Sequence, residues 1–205
     1  MMHTVVPAFD LSAGALCLDL VNTLQGRSDV TPRDDLTDYH ALVRFMLESE
    51  AIDPEVADAF DALADADPAN ARAVLERARA FREGLHGLLS AGITHAPAAG
   101  DDLLAVNAEL RAALAHVWMA PGEAGYRWTF GPDAGDIAVP LWLAARSAFE
   151  LLRSPQLDRV RACANHDCGW LFLDLSRNRS RKWCDMNTCG NRAKVRRFRE
   201  REVRH

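Results

Sequence analysis

The stretch RACANHDCGWLFLDLSRNRSRKWCDMNTCGNRAKVRRFRERE, residues 161–202, contains four of the five cysteines of the chain. They form two Cys-x4-Cys pairs, Cys163 with Cys168 and Cys184 with Cys189, and 15 residues separate the pairs. A tetrahedral zinc site is often built from two such pairs, because each tight loop supplies two thiolates to one ion. The spacing therefore predicts one structural Zn²⁺ per chain, with these four cysteines as its ligands.

Other uses of clustered cysteines fit the sequence less well. A redox dithiol usually has two residues between its cysteines, and disulfides are rare in proteins without an export signal. A catalytic zinc ion keeps one coordination position open, which four cysteines do not leave. His166 and Asp167 lie inside the first pair and could enter a mixed ligand set, but with four cysteines available we interpret them as turn residues. Cys17 stands apart and is interpreted as a small buried hydrophobe.

The residues between the cysteines predict a small α/β unit. WLFLD, residues 170–174, has the composition of a buried strand, and SRNRSRK, residues 176–182, is a basic turn from which a strand returns to Cys184. Thr188 is placed to cap a helix that begins near Cys189. A knuckle, a hairpin and a helix that starts at the metal give a treble-clef-like zinc finger.

The net charge of −5 conceals two oppositely charged parts. Residues 1–158 carry 11 arginines against 24 acidic residues, a net charge of −13. Residues 159–205 carry 13 basic residues against 5 acidic ones, a net charge of +8. Four thiolates on Zn²⁺ have a formal charge of −2, which nearby cations offset, but the arginines continue one to three turns beyond the metal. This surplus predicts an anionic partner.

Nucleic acid is the partner that this surplus favours, and DNA is our first expectation, with RNA open. The candidate contacts are Arg177, Arg179, Arg181, Lys182, Arg192, Lys194, Arg196, Arg197, Arg199 and Arg201. Two alternatives stay open: the cations neutralise the zinc site and add solubility, or they bind an acidic protein surface, which includes the acidic part of the same chain. The aromatic residues Trp170, Phe172, Trp183 and Phe198 could stack on bases, but we interpret them as the core of the finger.

Upstream of the finger, residues 1–156 predict a multi-helix domain, with residues 157–205 as the finger. Apolar residues with a period near 3.6 indicate amphipathic helices. Their predicted starts are Asp35, Asp53 with Pro54, Asp67 with Pro68, Asp101 and Pro140. The helix from Asp101 is expected to turn Leu103, Val106, Leu110, Leu114 and Val117 inward. A small hairpin is predicted from YRWTF (126–130) and DIAV (136–139), and residues 14–24 fit a helix or a strand, of which we favour the helix. The expected fold class is mainly α.

Composition and motifs exclude several classes. With 49% hydrophobic and 26% charged residues the chain is that of a soluble globular protein. Its longest apolar stretches are far shorter than the roughly 20 residues that span a bilayer, and the N-terminus lacks the positive region of an export signal. We expect a cytoplasmic protein without a membrane partner. No catalytic triad order, phosphate-binding glycine loop or zinc-protease motif occurs, so we expect no enzyme.

Polar residues in the apolar segment 14–24 suggest a second site. Asp19, Asn22 and Thr23 either satisfy backbone groups in the core or line a ligand pocket together with Trp142 and Arg146. In the second case the N-terminal domain would bind a small-molecule effector.

The finger closely resembles the CGNR zinc finger, because CGNR begins at Cys189 and the pattern C-x4-C-GW-FLD-SRNRSRKWC precedes it. The remaining chain, with LCLDLVNTL at 16–24 and PLWLAARSAFELL at 140–152, resembles the ABATE domain that accompanies this finger in bacterial stress-induced transcription regulators. The resemblance implies four cysteine zinc ligands and a DNA-binding role. The N-terminal domain would then sense a signal or mediate assembly, and a homodimer would supply a second finger. The alternative is a protein-interaction module or a small-molecule-binding protein whose finger is purely structural.

Overall fold

The computed structural model describes residues 8–123, 125–131, 134–165 and 167–202. At the end of the chain, side chains are not described for residues 197, 198, 200, 201 and 202. The predictions made for His166 and for the side chains of Arg197, Phe198 and Arg201 therefore lie outside the described residues.

The described residues form a mainly α fold with three small antiparallel sheets. The helices are α1 (Leu16–Val21), α2 (Tyr39–Glu48), α3 (Pro54–Ala66), α4 (Pro68–Thr94), α5 (Gly100–Ala115), α6 (Val139–Leu152) and α7 (Asn191–Glu202). The sheets pair β1 (Leu24–Gln25) with β2 (Arg33–Asp34), β3 (Trp118–Gly122) with β4 (Gly125–Thr129), and β5 (Val160–Ala162) with β6 (Leu171–Leu173). The predicted fold class is confirmed. None of the helices in the described ranges has the length and apolar content of a membrane span.

Both Asp-Pro dipeptides begin helices, as the sequence predicts. Pro54 and Pro68 occupy the first turns of α3 and α4, where the missing proline N–H costs no hydrogen bond. The Asp67 carboxylate also accepts a hydrogen bond from the Asn70 N–H at 3.1 Å. The helix within residues 14–24 is confirmed as α1, and the helix predicted from Pro140 is α6.

The start of α2 differs from the prediction. Asp38, not Asp35, caps the helix, because its Oδ1 accepts a hydrogen bond from the Ala41 N–H at 2.8 Å. The Asp35 carboxylate instead accepts a hydrogen bond from Gln25 Nε2 at 2.5 Å. Two aspartates three residues apart carry the same local signal, and the pairing of β1 with β2 decides which of them is free to cap.

The predicted hairpin is right in one strand and wrong in the other. Residues 126–129 of YRWTF lie in β4, but β4 pairs with β3, and residues 136–139 lead into α6. The register joins Trp118 to Thr129 and Gly122 to Gly125. Gly125 has a φ of +117°, so it permits a tight reversal that a side chain would strain. The sequence prediction placed the turn one strand too late.

α5 turns a different face to the core than its apolar pattern predicts. Val106 is buried as expected, but Leu103 and Leu114 are 39% and 45% exposed, while Glu109 and Ala113 are buried. The leucines that the pattern assigns to the core therefore flank the buried face.

Close contact with α4 explains the orientation of α5. A Cβ at Gly87 would lie 2.1 Å from the Asp102 carboxylate, and one at Gly84 would lie 3.0 Å from the Asp102 carbonyl oxygen. The glycines thus let α5 approach α4 along the face that carries Asp102 and Glu109. The buried Glu109 carboxylate accepts two hydrogen bonds from Arg77 of α4, at 3.0 and 2.8 Å. This pairing keeps a charged residue on the inner face.

The finger shares its core with the helices. Leu171, Phe172 and Leu173 of β6 are fully buried in the same apolar cluster as α1, α4 and α6. β6 pairs with β5, which precedes the first cysteine, so the predicted return strand at Trp183 is wrong. The Leu173 N–H donates to the Ala13 carbonyl at 2.8 Å. The boundary between residues 156 and 157 stays a prediction, and packing crosses it.

Candidate metal centre and basic surface

The structure brings the four cysteines of the finger together. The Sγ atoms of Cys163, Cys168, Cys184 and Cys189 all lie within 4.8 Å of one another. Sulfurs bound at about 2.3 Å to one tetrahedral ion lie about 3.8 Å apart, and Cys168 Sγ is 3.6 Å from Cys184 Sγ. Cys184 and Cys189 are buried and the other two are half-buried. Donor type, number and spacing fit a closed four-coordinate metal site.

The thiols influence one another's proton affinity. Hydrogen bonds from Cys168 and Cys184 lower the pKa of the Cys163 thiol. The same contacts with Cys163 raise the pKa values of Cys168 and Cys184, because the cluster favours a single thiolate when no cation balances the charge. A full set of four thiolates in this space requires a bound cation, which is what a divalent metal ion supplies.

Backbone hydrogen bonds fix the first pair and tie it to the second. The Cys168 N–H donates to the Asn165 carbonyl at 3.0 Å, which closes a turn at the position where Asp167 is interpreted as a turn residue. The Ala164 N–H donates to the Lys182 carbonyl at 2.8 Å. The Cys184 N–H lies 3.5 Å from Cys163 Sγ and points one backbone donor at that sulfur. Both loops are thereby positioned by the backbone.

Cys189 of the second pair lies on a π-helical turn, Met186–Gly190, that leads into α7. Asp185 caps this turn, since its Oδ1 accepts a hydrogen bond from the Thr188 N–H at 2.7 Å. The predicted cap at Thr188 is therefore wrong, although the helix does begin beside Cys189. A Cβ at Gly190 would lie 2.9 Å from Met186 Sδ. The glycine of the CGNR motif therefore allows the turn to close.

Asn165 is a buried residue of the centre that the cysteine spacing alone does not identify. Its Nδ2 lies 3.7 Å from Cys189 Sγ, within hydrogen-bond range of a sulfur acceptor. Its Oδ1 accepts a hydrogen bond from Arg196 Nη2 at 3.3 Å. Asn165 thus joins the first loop to the second pair and to the second turn of α7. Arg196, a predicted nucleic-acid contact, is partly engaged in this contact.

Arg181, a predicted nucleic-acid contact, has its guanidinium engaged with groups of the protein. Its guanidinium donates to the carbonyl oxygens of Trp183, at 3.0 Å, and Cys184. It also reaches the Ser12 carbonyl at 3.4 Å and lies 4.4 Å above the Phe172 ring centre. These contacts occupy the guanidinium with protein groups and join the second cysteine loop to the N-terminal segment. Local sequence gave no signal for them, because Ser12 is 169 residues away.

The basic turn between the cysteine pairs is shaped by a buried aspartate. Asp174 accepts hydrogen bonds from the N–H groups of Ser176 and Arg181, both at 3.0 Å. Hydrogen bonds from Ser176 and Arg181 hold the pKa of Asp174 below its ordinary value. The turn presents Arg177 and Arg179 to solvent.

Most of the predicted nucleic-acid contacts that are described lie exposed and without an internal partner. Apart from Arg181 and Arg196, the described side chains of this set have no hydrogen bond or ion pair with other described residues. They are Arg177, Arg179, Lys182, Arg192, Lys194 and Arg199. Arg177, Arg179 and Lys182 belong to the turn, and the others lie on α7, which starts at the metal centre. Two segments fixed by one centre therefore carry the free cations.

Polar residues in α1 and directly after it have partners inside the protein. Asp19 Oδ1 accepts a hydrogen bond from the Ala13 N–H at 2.9 Å. Asn22 binds the backbone of Leu171 through both ends of its amide. Thr23 Oγ1 donates to the Leu20 carbonyl at 2.7 Å and accepts from Arg82 Nη1 at 3.1 Å. These contacts favour the structural role, the alternative to a ligand pocket.

The two pocket residues predicted on α6 lie in different surroundings. Trp142 is buried and stacks on His116, with ring centres 4.1 Å apart. Its Nε1 has no hydrogen-bond partner in the described part of the chain. Arg146 is half-buried, with its Nε 3.5 Å from Glu150. The contacts of α1 and α6 do not place all five residues around one ligand, so the predicted pocket stays a prediction.

Cys17 is buried, as the sequence predicts. Burial raises the pKa of its thiol to about 12, so it stays protonated at neutral pH.

A cleft of about 670 Å³ adjoins the centre. It lies between the turn joining β1 to β2 and the start of α7, and is lined by side chains of both signs, among them Asp29, Arg33 and Arg192.

Comparison with protein families accounts for both parts of the chain. Residues 159–202 match the CGNR zinc finger, and residues 14–155 match the ABATE family, described as "Putative stress-induced transcription regulator". No curated protein matches the chain. The two matches occur in the order that the resemblance predicts and cover the helices and the cysteine cluster. The chain belongs to the ABATE family and carries a CGNR zinc finger at its C-terminal end.

Proposed function

We propose that this protein is a zinc-dependent DNA-binding transcription regulator. The observation that carries the proposal is the position of the four-cysteine cluster, directly before α7 and beside a basic turn, with six exposed cations that have no described internal partner. The family description agrees with a regulatory role. On this proposal the protein has no catalytic activity.

Cys163, Cys168, Cys184 and Cys189 would hold one zinc ion per chain. Bound there, the ion supplies charge and geometry and leaves no open position for a reacting water. The contribution of the chain itself is to direct α7 away from the centre, since the Asp185 cap and the close-packed Gly190 fix the π-helical turn from which α7 starts. The exposed cations can then contact phosphates along one strand or groove.

Phosphate contacts make a quantitative prediction. If about five cations engage phosphates, the logarithm of the DNA-binding constant falls with the logarithm of the salt concentration with a slope of roughly −4 to −5. Fluorescence anisotropy of a labelled random-sequence duplex in a salt series measures this slope. A slope near zero would contradict phosphate binding.

A charge-reversal pair locates the contact. Lys194→Glu with Arg199→Glu changes two exposed, unpartnered cations of α7, and the salt slope should fall by about 2. The matched control, Arg72→Glu with Arg111→Glu, makes the same charge change at exposed sites on α4 and α5. Equal losses of DNA affinity in the two double variants would show that net charge alone governs binding. Metal analysis of each variant must give an unchanged zinc content.

Competition binding distinguishes DNA from the alternative partners, RNA and an acidic protein surface. Unlabelled RNA duplex, single-stranded RNA and an acidic polypeptide are titrated against the protein–DNA complex at equal phosphate or carboxylate concentration. DNA should displace the probe best; better displacement by RNA or by the polypeptide would replace DNA in the proposal. The N-terminal domain then senses a signal or mediates assembly.

A further inference from the structure

One face of the β3–β4 hairpin carries no charged side chain. The register pairs Met119 with Trp128 and Pro121 with Tyr126, so these four side chains lie on the same side of the ribbon. Their exposure is high, at 51% for Met119, 79% for Tyr126 and 55% for Trp128. Arg127 lies on the opposite side. We call the four residues the aromatic face.

This ribbon is poorly supported within its own chain. β3 and β4 form a two-stranded sheet, so in the described residues their outer edges pair with no third strand. A two-stranded ribbon is only marginally stable in water by itself, and an exposed apolar ribbon with open edges tends to pair with another chain. A protein that keeps such a surface gains stability when the surface is covered.

A second exposed apolar surface lies on α5, the helix that precedes β3 in the chain. Leu103, Leu110 and Leu114 are spaced by seven and four residues, which places them on one stripe of the helix. Leu103 and Leu114 are partly exposed because the close contact with α4 buries the neighbouring face instead. Val117 follows the stripe and leads directly into β3.

The exposed area is sufficient for a dimer only when both surfaces take part. Tyr and Trp side chains bury roughly 150–250 Å² each, so the exposed parts of the aromatic face offer about 300–400 Å² per copy. Two copies then bury about 600–800 Å², below the roughly 1,000 Å² expected of a specific interface. Contributions from the α5 leucines, of which Leu103 is 39% and Leu114 45% exposed, bring the total to about that value.

The apolar chemistry of the aromatic face favours a second copy over other partners, although the like charge of two acidic domains opposes their association. The aromatic face is uncharged, whereas residues 1–158 have a net charge of −13. The surrounding acidic domain would repel a nucleic acid or an anionic membrane, and a basic protein would find no counter-charge on the face itself. A second copy offers an identical apolar face, and two-fold contact closes the assembly so that no further copy can add.

We propose that the β3–β4 hairpin, with the leucine stripe of α5, forms the interface of a two-fold homodimer. The hairpins of two copies cover each other's aromatic faces, and each copy keeps its own finger outside the interface. Two basic α7 helices are then presented by one assembly. This inference goes beyond the proposed function, since dimerisation requires neither metal nor DNA.

Light scattering during size-exclusion chromatography tests the dimer directly, with the full chain in the absence of DNA. The wild-type protein should have twice the monomer mass of 22.6 kDa and dissociate on dilution. Trp128→Glu, and separately Tyr126→Glu, should give the monomer mass at concentrations where the wild type is a dimer. A wild-type monomer at every concentration, or a dimer that survives both substitutions, would overturn the proposal.

Two controls keep the test specific. Val30→Glu places the same charge at a fully exposed valine in the turn between β1 and β2, and Arg127→Glu places it on the opposite side of the hairpin. Both variants should retain the dimer mass. A monomer mass for Val30→Glu would contradict the assignment of the interface to the hairpin. Far-UV circular dichroism must give wild-type helix content for each variant. If Trp128→Glu unfolds, Leu114→Glu takes its place in the test. A dimer mass for Leu114→Glu would overturn the proposal that the α5 leucines belong to the interface.

Discussion

The side-chain amide of Asn22 forms two hydrogen bonds with the backbone of Leu171, 149 residues away in the chain. Asn22 Nδ2 donates to the Leu171 carbonyl at 2.8 Å, and Asn22 Oδ1 accepts from the Leu171 N–H at 3.0 Å. The amide thus occupies the place of a neighbouring strand at the edge of β6, and all of these groups are buried. One side chain at the C-terminal end of α1 therefore joins the finger to the helical core.

Replacement of this amide should destabilise the protein. Asn22→Leu leaves two buried backbone groups of Leu171 without partners, and we expect the free energy of unfolding to fall by about 2–4 kcal/mol. Urea denaturation monitored by circular dichroism measures the change. Asn107→Leu, at an exposed position of α5, is the control and should change stability by about 0.5 kcal/mol or less. Equal effects at the two positions would contradict a special role for Asn22.

Removal of the metal should weaken the whole chain. Because β6 is buried in the same apolar cluster as α1 and α4, loss of the cysteine loops is transmitted to the helices. Chelation should lower the melting temperature in one transition, seen alike by tryptophan fluorescence and far-UV circular dichroism. Cys184→Ser should mimic chelation, whereas Cys17→Ala should keep the metal. A separate early transition that leaves helix content intact would show an independent finger.

Deletion of residues 159–205 extends this test. The sequence by itself suggests that a soluble helical domain would remain. The structure leads us to expect an unstable fragment, because deletion removes Leu171–Leu173 from the core and leaves the Asn22 amide and the Ala13 carbonyl without partners. Nuclear magnetic resonance spectra of residues 1–158 distinguish the two outcomes, and well-dispersed signals would contradict our expectation.

Two arginines of the finger should behave in opposite ways. Arg181→Met removes hydrogen bonds to the Trp183 and Cys184 carbonyls, and we expect a loss of about 2–3 kcal/mol in stability. Arg179→Met changes an exposed side chain in the same turn and should preserve stability while weakening DNA binding. Denaturation and anisotropy are measured on both. A weaker DNA contact in a fully stable Arg181 variant would return Arg181 to the binding surface.

Asp19 should make stability depend on pH. Burial raises its pKa to about 7, from 3.8, although the Ala13 N–H favours the charged form. The folded state therefore holds a proton that the unfolded state has released, so this group's contribution to stability falls as pH rises from about 4 to 7. Asp19→Asn, which keeps an acceptor for Ala13, should be more stable than wild type by about 1–3 kcal/mol at pH 8.

The stability difference between Asp19→Asn and the wild type should change with pH in one direction. The advantage of Asp19→Asn should shrink towards pH 4, where the carboxyl is protonated in both states. Thermal unfolding of both proteins from pH 4 to 8 measures the difference. A constant difference over this range would show that Asp19 does not titrate there.

Local signals predicted the elements whose causes are local. Pro54 and Pro68 open helices because a fixed φ and a missing N–H suit a first turn. The Cys-x4-Cys spacing predicted the cluster because each tight loop brings its own sulfurs together. The same reasoning failed for α5, where contact with Gly84 and Gly87 of another helix decides which face is buried.

The sequence by itself determined the helical class, the four cysteines that converge, the charge surplus of the finger and the family to which these belong. Only the tertiary structure decided that Arg181 is a structural residue, that Asn22 pairs with Leu171, and that the finger shares its core with the helices. The physical reason is the range of the interactions. Periodicity, capping and loop spacing act over a few residues, whereas a buried amide or guanidinium has a role only once distant backbone groups have been brought within hydrogen-bond distance.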